Sequence, residues 1–226
     1  MTVDPTLANV RVLAHSAIRI ESEAGTVAYF DPFHVAEEPH DADYVLITHT
    51  HYDHLSPEDV AKVAKAGTVV IAPATGVDET CAALAGIAAG TTSEVHGMGV
   101  GDALELPGMK VEAVAAYNVE SERLGFHPKE NEWVGYVVEV DGVRYYVAGD
   151  TDQNPDNERV SCDVALIPIG GTYTMDPHQA AAFINTIRPQ IVVPTHYGDI
   201  VGTPEDADVF AAEVDESISV VLKIGQ

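Results

Sequence analysis

The stretch at residues 42–54, "ADYVLITHTHYDH", decides the fold and the chemistry together. Its first half carries the apolar run "YVLI" (44–47), and its second half holds His49, His51, Asp53 and His54. A short apolar run of this kind reads as a buried strand. The polar side chains then leave the strand at its C-terminal end. His49 and His51 are separated by one residue, so in extended chain they point the same way. Asp53 and His54 turn with the chain toward a second point nearby. Without a ligand, the cluster would bury titratable groups at a cost on the order of several kcal/mol. One metal ion cannot use all four side chains of so short a loop. Two neighbouring ions can, with a shared carboxylate between them.

Two further apolar runs end on a potential ligand. "VRYYVAG" (143–149) runs into Asp150, and "QIVVPT" (190–195) runs into His196. Strand ends that deliver His or Asp to one edge hold a site rigidly between two sheets. The rest of the chain fits that frame. "NVRVLAHSAIRIES" (9–22) and "TVAYFDPF" (26–33), split by "EAG", read as a hairpin. "SPEDVAKVAKAG" (56–67) reads as a helix with Ser56 as N-cap, Pro57 at its first position and Gly67 at its stop. "TVVIAP" (68–73), "MKVEAVAAYN" (109–118) and "CDVALIPIGG" (162–171) read as strands, and "TGVDETCAALAGIAAG" (75–90) as a helix. "EWVGYVVEVDGVRYYVAGD" (132–150) reads as a hairpin around Asp141-Gly142, a type I′ turn signal. "DPHQAAAFINTIRP" (176–189) is a helix capped by Asp176, and the tail gives a helix at 203–214 and a strand at 218–225. β-rich segments lead each half and helices follow, which predicts an α/β fold of the four-layer αββα sandwich type.

Composition bounds the rest. The 226 residues, 46% of them hydrophobic, fit one compact domain over 1–226. No stretch reaches the roughly 20 apolar residues of a membrane span. The opening "MTVDPTLANV" lacks the basic and apolar regions of a signal peptide, so the cytoplasm is the expected compartment. Cys81 and Cys162 have no metal-type spacing and read as small core residues. Asp and Glu number 36 against 11 Lys and Arg, a net charge of -25. Such a surface repels nucleic acid and anionic lipid, which leaves a small molecule as the expected partner. It is also the composition of a chain adapted to high salt, as in an acidic, halophilic proteome, where self-repulsion is screened. Oligomeric state is open.

"THTHYDH" resembles the HxHxDH signature of the metallo-β-lactamase superfamily. "YYVAGDT" resembles that family's strand ending in a bridging Asp, and "IVVPTHYG" its last metal-binding His. "AHSAIRIE", "FDPF", "AAYN", "FHPKENEWVGY" and "IPIGGTYTMDPHQAA" resemble a subgroup of small single-domain hydrolases, related to ascorbate-phosphate lactonases and N-acyl-phosphatidylethanolamine phospholipase D. The likeness runs from about Val10 to Gly198 and implies the αββα fold and a hydrolytic site with one or two metals, usually zinc. It implies that His49 and His51 bind the first metal. Asp53, His54 and His196 would bind the second, with Asp150 bridging. The family places a His where this chain has Asn118. His127, in "GFHP", is the nearest His downstream and is favoured as the missing ligand, because imidazole binds zinc better than a neutral amide.

Two zinc ions are expected, with Mn2+ or Fe2+ as alternatives. Zinc lowers the pKa of bound water toward ~7, and the resulting hydroxide attacks a carbonyl or phosphoryl centre of an ester, lactone or phosphodiester. Asp53 and Asp150 are the expected catalytic carboxylates, orienting the nucleophile and relaying its proton. Asp31 is a candidate partner of a ligand histidine, with a plain turn residue before Pro32 as the other reading. His15 is a candidate to face the site, or a core or surface residue. Tyr173 and Tyr197 are candidate substrate contacts, and Asn118 at most touches substrate or water. His34, His40, His96 and His178 read as solvated. No Arg or Lys cluster marks an anion pocket, with Arg123, Lys129 and Arg144 the only candidates near the motif region. The second reading is a metal-binding protein without turnover, a sensor or assembly partner. All-His/Asp ligation speaks against a purely structural site, which mostly uses Cys.

Overall fold

The computed structural model of the chain describes residues 3, 6–87 and 92–224. Two sheets face each other. The first has six strands in sequence order: β1 (Val10–Ala14), β2 (Ala17–Glu21), β3 (Val27–Phe30), β4 (Ala42–Leu46), β5 (Ala64–Pro73) and β6 (Thr92–Met98). The second has seven, again in sequence order: β7 (Ala103–Leu106), β8 (Met109–Ala115), β9 (Val134–Val140), β10 (Val143–Val147), β11 (Val164–Pro168), β12 (Ile191–Thr195) and β13 (Ser219–Val220). Each sheet starts antiparallel and ends parallel, the change falling at β3–β4 and at β10–β11. Helices α1 (Pro57–Val63) and α2 (Val77–Leu84) cover the outer face of the first sheet. Helices α3 (Pro177–Ile187) and α4 (Asp206–Glu213) cover the second. The fold is the predicted αββα sandwich.

Burial explains the strand sequences. Between the sheets lies one core, with Ile18, Phe30, Leu46 and Ile71 from the first sheet against Tyr136, Val138, Val147 and Leu166 from the second. β11, "VALIP", is buried throughout because a helix layer covers its other face. β8, "MKVEAVA", is buried mainly at alternate residues, because its outer face has no helix above it.

Local signals set most ends. Ser56 accepts from the Asp59 amide and starts α1, and Asp176 with Gln179 forms a capping box on α3. Asp141 and Gly142 both have positive φ, 51° and 78°, as the type I′ turn between β9 and β10 requires. The expected last strand, 218–225, is a strand only at Ser219–Val220, and three further details differ from the sequence reading. The first β run is itself a hairpin: the chain reverses at His15, whose φ is 47°, so three strands stand where two were expected. Helix α1 stops at Val63 rather than Gly67. Ala64 is already extended and pairs with Ala42, and the Thr68 hydroxyl donates to the Ala42 carbonyl at 2.6 Å. Sheet pairing there overrides the helical preference of "AKA". Strands β6 and β7 carry too little apolar alternation to read as strands and form through pairing with β5 and β8. The N-terminal residues 1, 2, 4 and 5, the last residues of the second expected helix (88–90) and the end of the expected last strand (225) lie outside the described residues. Among the described residues, no helix is long and apolar enough to cross a membrane.

Candidate metal centre

Every candidate ligand beyond β1 sits past the C-terminal end of a strand, and the ends meet at one edge of the sandwich. β4 delivers His49, His51, Asp53 and His54; β10 delivers Asp150; β12 delivers His196. His127 arrives on the loop after β8, and His15 in the β1–β2 turn. Two close approaches hold the edge together. The His196 amide donates to the His15 carbonyl at 2.9 Å, and Gly149, at φ 64°, lets the chain before Asp150 pass the Thr48 side chain. A Cβ on Gly149 would come within 2.9 Å of Thr48 Cβ. His15, Asp31 and His196 all adopt left-handed backbone, at φ 47°, 43° and 56°. Such strain in non-glycine residues concentrates at functional sites.

The side chains form two overlapping nests. His49, His51 and His127 each offer a ring nitrogen within 4.8 Å of the others, and so do His15, Asp53, His54 and His196 with one atom each. Asp150 stands between them: one carboxylate oxygen is 3.2 Å from His127 Nε2 and 3.1 Å from His196 Nε2, the other 3.4 Å from His54 Nε2. His49 Nε2 faces His51 Nδ1 at 3.0 Å, and most of the other inward atoms are buried without a partner. His15 Nδ1 and Nε2, His54 Nε2, His127 Nε2, both His196 nitrogens and one Asp150 oxygen lack a hydrogen bond. Buried polar groups are normally satisfied, so a convergent set of open ones fits a metal, and the His/Asp donor set suits zinc and its neighbours in the first transition row.

A second layer of residues aims the rings. Asp31, fully buried, faces His54 Nδ1 at 2.8 Å and accepts from both the amide and the hydroxyl of Thr48. It is therefore the partner of a candidate ligand, not a plain turn residue. Asn118 Oδ1 lies 2.9 Å from His127 Nδ1 and accepts from the His127 amide, while its Nδ2 donates to the Tyr173 carbonyl. Asn118 thus turns His127 Nε2 toward the centre. His15 is fully buried, 3.3 Å from Asp53 Oδ2, with its ring 3.8 Å from that of His196.

Electrostatics follows from this packing. Burial, then the charge of His54, holds His49 well below the ordinary histidine range. Burial, then His127, lowers His51, and burial alone leads the lowering of His15. Burial would raise Asp150, but His196, His54 and His127 outweigh it and keep the carboxylate ionised. Burial likewise opposes a charge on His54, and the Asp150 and Asp31 carboxylates overcome it and raise its pKa strongly. Neutral imidazoles beside ionised carboxylates are the protonation state that a metal needs, and the field that keeps a proton on His54 is one that a cation satisfies.

The remaining candidates fall elsewhere. Tyr173 is half-buried at the edge of the centre, but Tyr197 is 5% exposed and packs into the core under α3 and α4. His34, His40 and His178 are exposed, facing Asp199, the Ala64 carbonyl and Glu213. Arg123, Lys129 and Arg144 pair with Asp152, Asp156 and Glu112. Two residues escaped the sequence reading. Trp133 forms a wall, its ring 4.8 Å from His51 and 4.9 Å from His49. Asp152 accepts from the amides of Val119 and Glu120 and so pins the loop that carries Asn118 and His127. Only its place two residues after Asp150 hinted at this.

Residues 9–196 match the family model described as the beta-lactamase superfamily domain, a span that ends on His196. A UPF0173 metal-dependent hydrolase of Symbiobacterium thermophilum is 33% identical, over 96% of this chain and 97% of its own. One from Thermococcus onnurineus is 34% identical, over 97% and 98%. The crystal structure of a metal-dependent hydrolase from Parabacteroides distasonis superposes with a TM-score of 0.80 at 30% identity, covering 96% of this chain and 93% of the other. With its fold, its cluster of histidines and aspartates and these relatives in agreement, the chain belongs to the metallo-β-lactamase superfamily and is one of its metal-dependent hydrolases.

Proposed function

We propose that the chain hydrolyses an ester, lactone or phosphodiester at a centre of two metal ions, zinc in the first instance. The observation that carries this reading is the pair of nests with Asp150 between them, where His15, His54, His127, His196 and Asp150 hold buried polar atoms that lack a hydrogen bond. His49, His51 and His127 would hold one ion, and Asp53, His54 and His196 the other. Asp150 reaches both sets and is the bridging candidate. His15 lies within the second set and either joins it or fixes Asp53 and His196. When bound, the metals supply Lewis acidity, acidifying water and polarising the scissile group.

The protein's own residues do the rest. Asp53, with a 9% exposed carboxylate residue at the lip of the centre, can orient water and receive its proton. Asp31 and Asn118 keep two imidazoles turned inward, so the nests need not reorganise when loaded. Trp133 excludes water from one side of His49 and His51. The test is metal analysis with a panel of generic esters, lactones and bis-aryl phosphodiesters, run with and without chelator. Two equivalents of metal and chelator-sensitive turnover are expected. His51→Ala should lose most metal and all turnover while its circular dichroism persists, because "YVLI" and α1 bury their apolar faces without the metal. Full metal retention in that variant would falsify the assignment.

A further inference from the structure

Exposed apolar side chains gather on the loops that carry the candidate ligands. Tyr52, between His51 and Asp53, is 69% exposed; Leu124 and Phe126, just before His127, are 50% and 40% exposed. The loops meet: Phe126 packs edge-on against Tyr173 at 4.8 Å, and the Tyr173 carbonyl is held by Asn118. Tyr52 packs edge-on against Phe33 at 6.1 Å. Clustered apolar exposure beside a polar centre marks a ligand-binding surface.

Charge narrows the ligand. The loops at this face, 31–41, 48–54, 118–133, 148–163, 171–176 and 196–203, contain three Lys or Arg residues, Arg123, Lys129 and Arg159. All three face acids: Arg123 pairs with Asp152 at 2.7 Å, Lys129 pairs with Asp156 at 3.0 Å, and the charge of Arg159 also acts on Asp156. The same loops carry Glu120, Glu122, Glu130 and Asp199. An anionic substrate would meet more carboxylates than cations on approach, and those few guanidinium and ammonium groups, which usually recognise phosphate, already stand beside acids.

We propose that the substrate is an uncharged carboxylic ester or lactone whose apolar chain lies across Tyr52, Leu124, Phe126 and Tyr173. This rests on the hydrolase reading of the centre. Water adds its oxygen to the carbonyl carbon and the acyl carbon–oxygen bond breaks. One proton goes to the departing alkoxide, and the other is released from the new carboxylic acid.

Two measurements separate the proposal from that reading. The first is kcat/KM of the zinc-loaded full chain for p-nitrophenyl esters from acetyl to octanoyl, with bis-p-nitrophenyl phosphate beside them. Full burial would give about fourfold per methylene, so a rim that covers one side should give about twofold. Leu124→Ser/Phe126→Ser should flatten that slope at unchanged metal content, and Phe126→Leu should keep it. The second is binding of alkyl hydroxamates of growing chain, followed by the fluorescence of the single tryptophan, Trp133, which lies against the histidines. The dissociation constant should fall by the same factor per methylene. Ester turnover and binding that ignore chain length, or a preference for the phosphodiester, overturn the apolar substrate and leave the hydrolase standing. Chain-length-dependent binding without turnover of any ester leaves the apolar surface and overturns the ester-hydrolase reading.

Discussion

At the residue scale, the centre depends on pairs in which one side chain aims another. His127→Ala should lower metal content from two equivalents toward one. Asn118→Ala should also weaken the first site, by about 10- to 100-fold in affinity, because the carboxamide oxygen that fixes the His127 ring is lost. Asn118→Asp keeps an acceptor at that point and should recover most of the affinity. Metal titrations of the three variants check this; Asn118→Ala binding like wild type would detach the carboxamide from the site. Asp31→Asn tests the other pair. It removes the charge beside His54 Nδ1 and should weaken the second site by a similar factor while the first keeps its affinity.

At the element scale, the strand ends and helix starts carry the strain. Gly149→Ala places a Cβ against Thr48 and demands a left-handed alanine. It should cost about 2 kcal/mol in urea melts and displace Asp150, lowering metal affinity with it. Helix α1 is anchored by Asp59, whose carboxylate takes the amides of His34 and Val35, the Ser56 hydroxyl and the Lys62 ammonium. Burial would raise its pKa, but Lys62, Ser56 and the Val35 amide outweigh burial and hold it below the usual range. A lowered folded pKa means the stabilisation is complete above the unfolded value of about 4 and is lost as pH falls through the folded one. Asp59→Asn should therefore destabilise by about 2 kcal/mol at neutral pH. The gap from wild type should narrow as pH drops below about 4. Urea melts of metal-free protein at several pH values read both, and a gap that widens in acid would contradict the anchor.

At the scale of the whole molecule, the charge of -25 decides the response to salt. Arg19, Lys62, Lys65, Lys110 and Arg188 are already paired with acids, so the remaining carboxylates face one another across the surface. The screening length is roughly 30 Å at 0.01 M salt and roughly 3 Å at 1 M. Unfolding spreads the charges, so low salt favours the unfolded chain. With metal kept saturating, Tm should rise steeply from low to molar salt, and alike for potassium and sodium chloride, since screening does not distinguish them. A flat profile would remove the argument for a high-salt habitat.

Much of this was legible in the chain itself. The apolar runs at 44–47, 143–149 and 190–195 fixed strands by burial alone. The caps at Ser56 and Asp176 fixed helix starts, and the turn at Asp141-Gly142 fixed a hairpin, because each depends on neighbours within a few residues. The spacing of His49, His51, Asp53 and His54 announced a metal centre for the same reason. Tertiary structure decided the rest. Helix α1 ends at Val63 because a strand far along the chain pairs with Ala64. His127 and Asn118, nine residues apart, meet only in the packed loop, which lays the carboxamide of one against the ring of the other. His15 from the first sheet meets His196 from the second, and Asp31 reaches them through His54. No local pattern records that meeting, since it is made by two sheets pressed on one core.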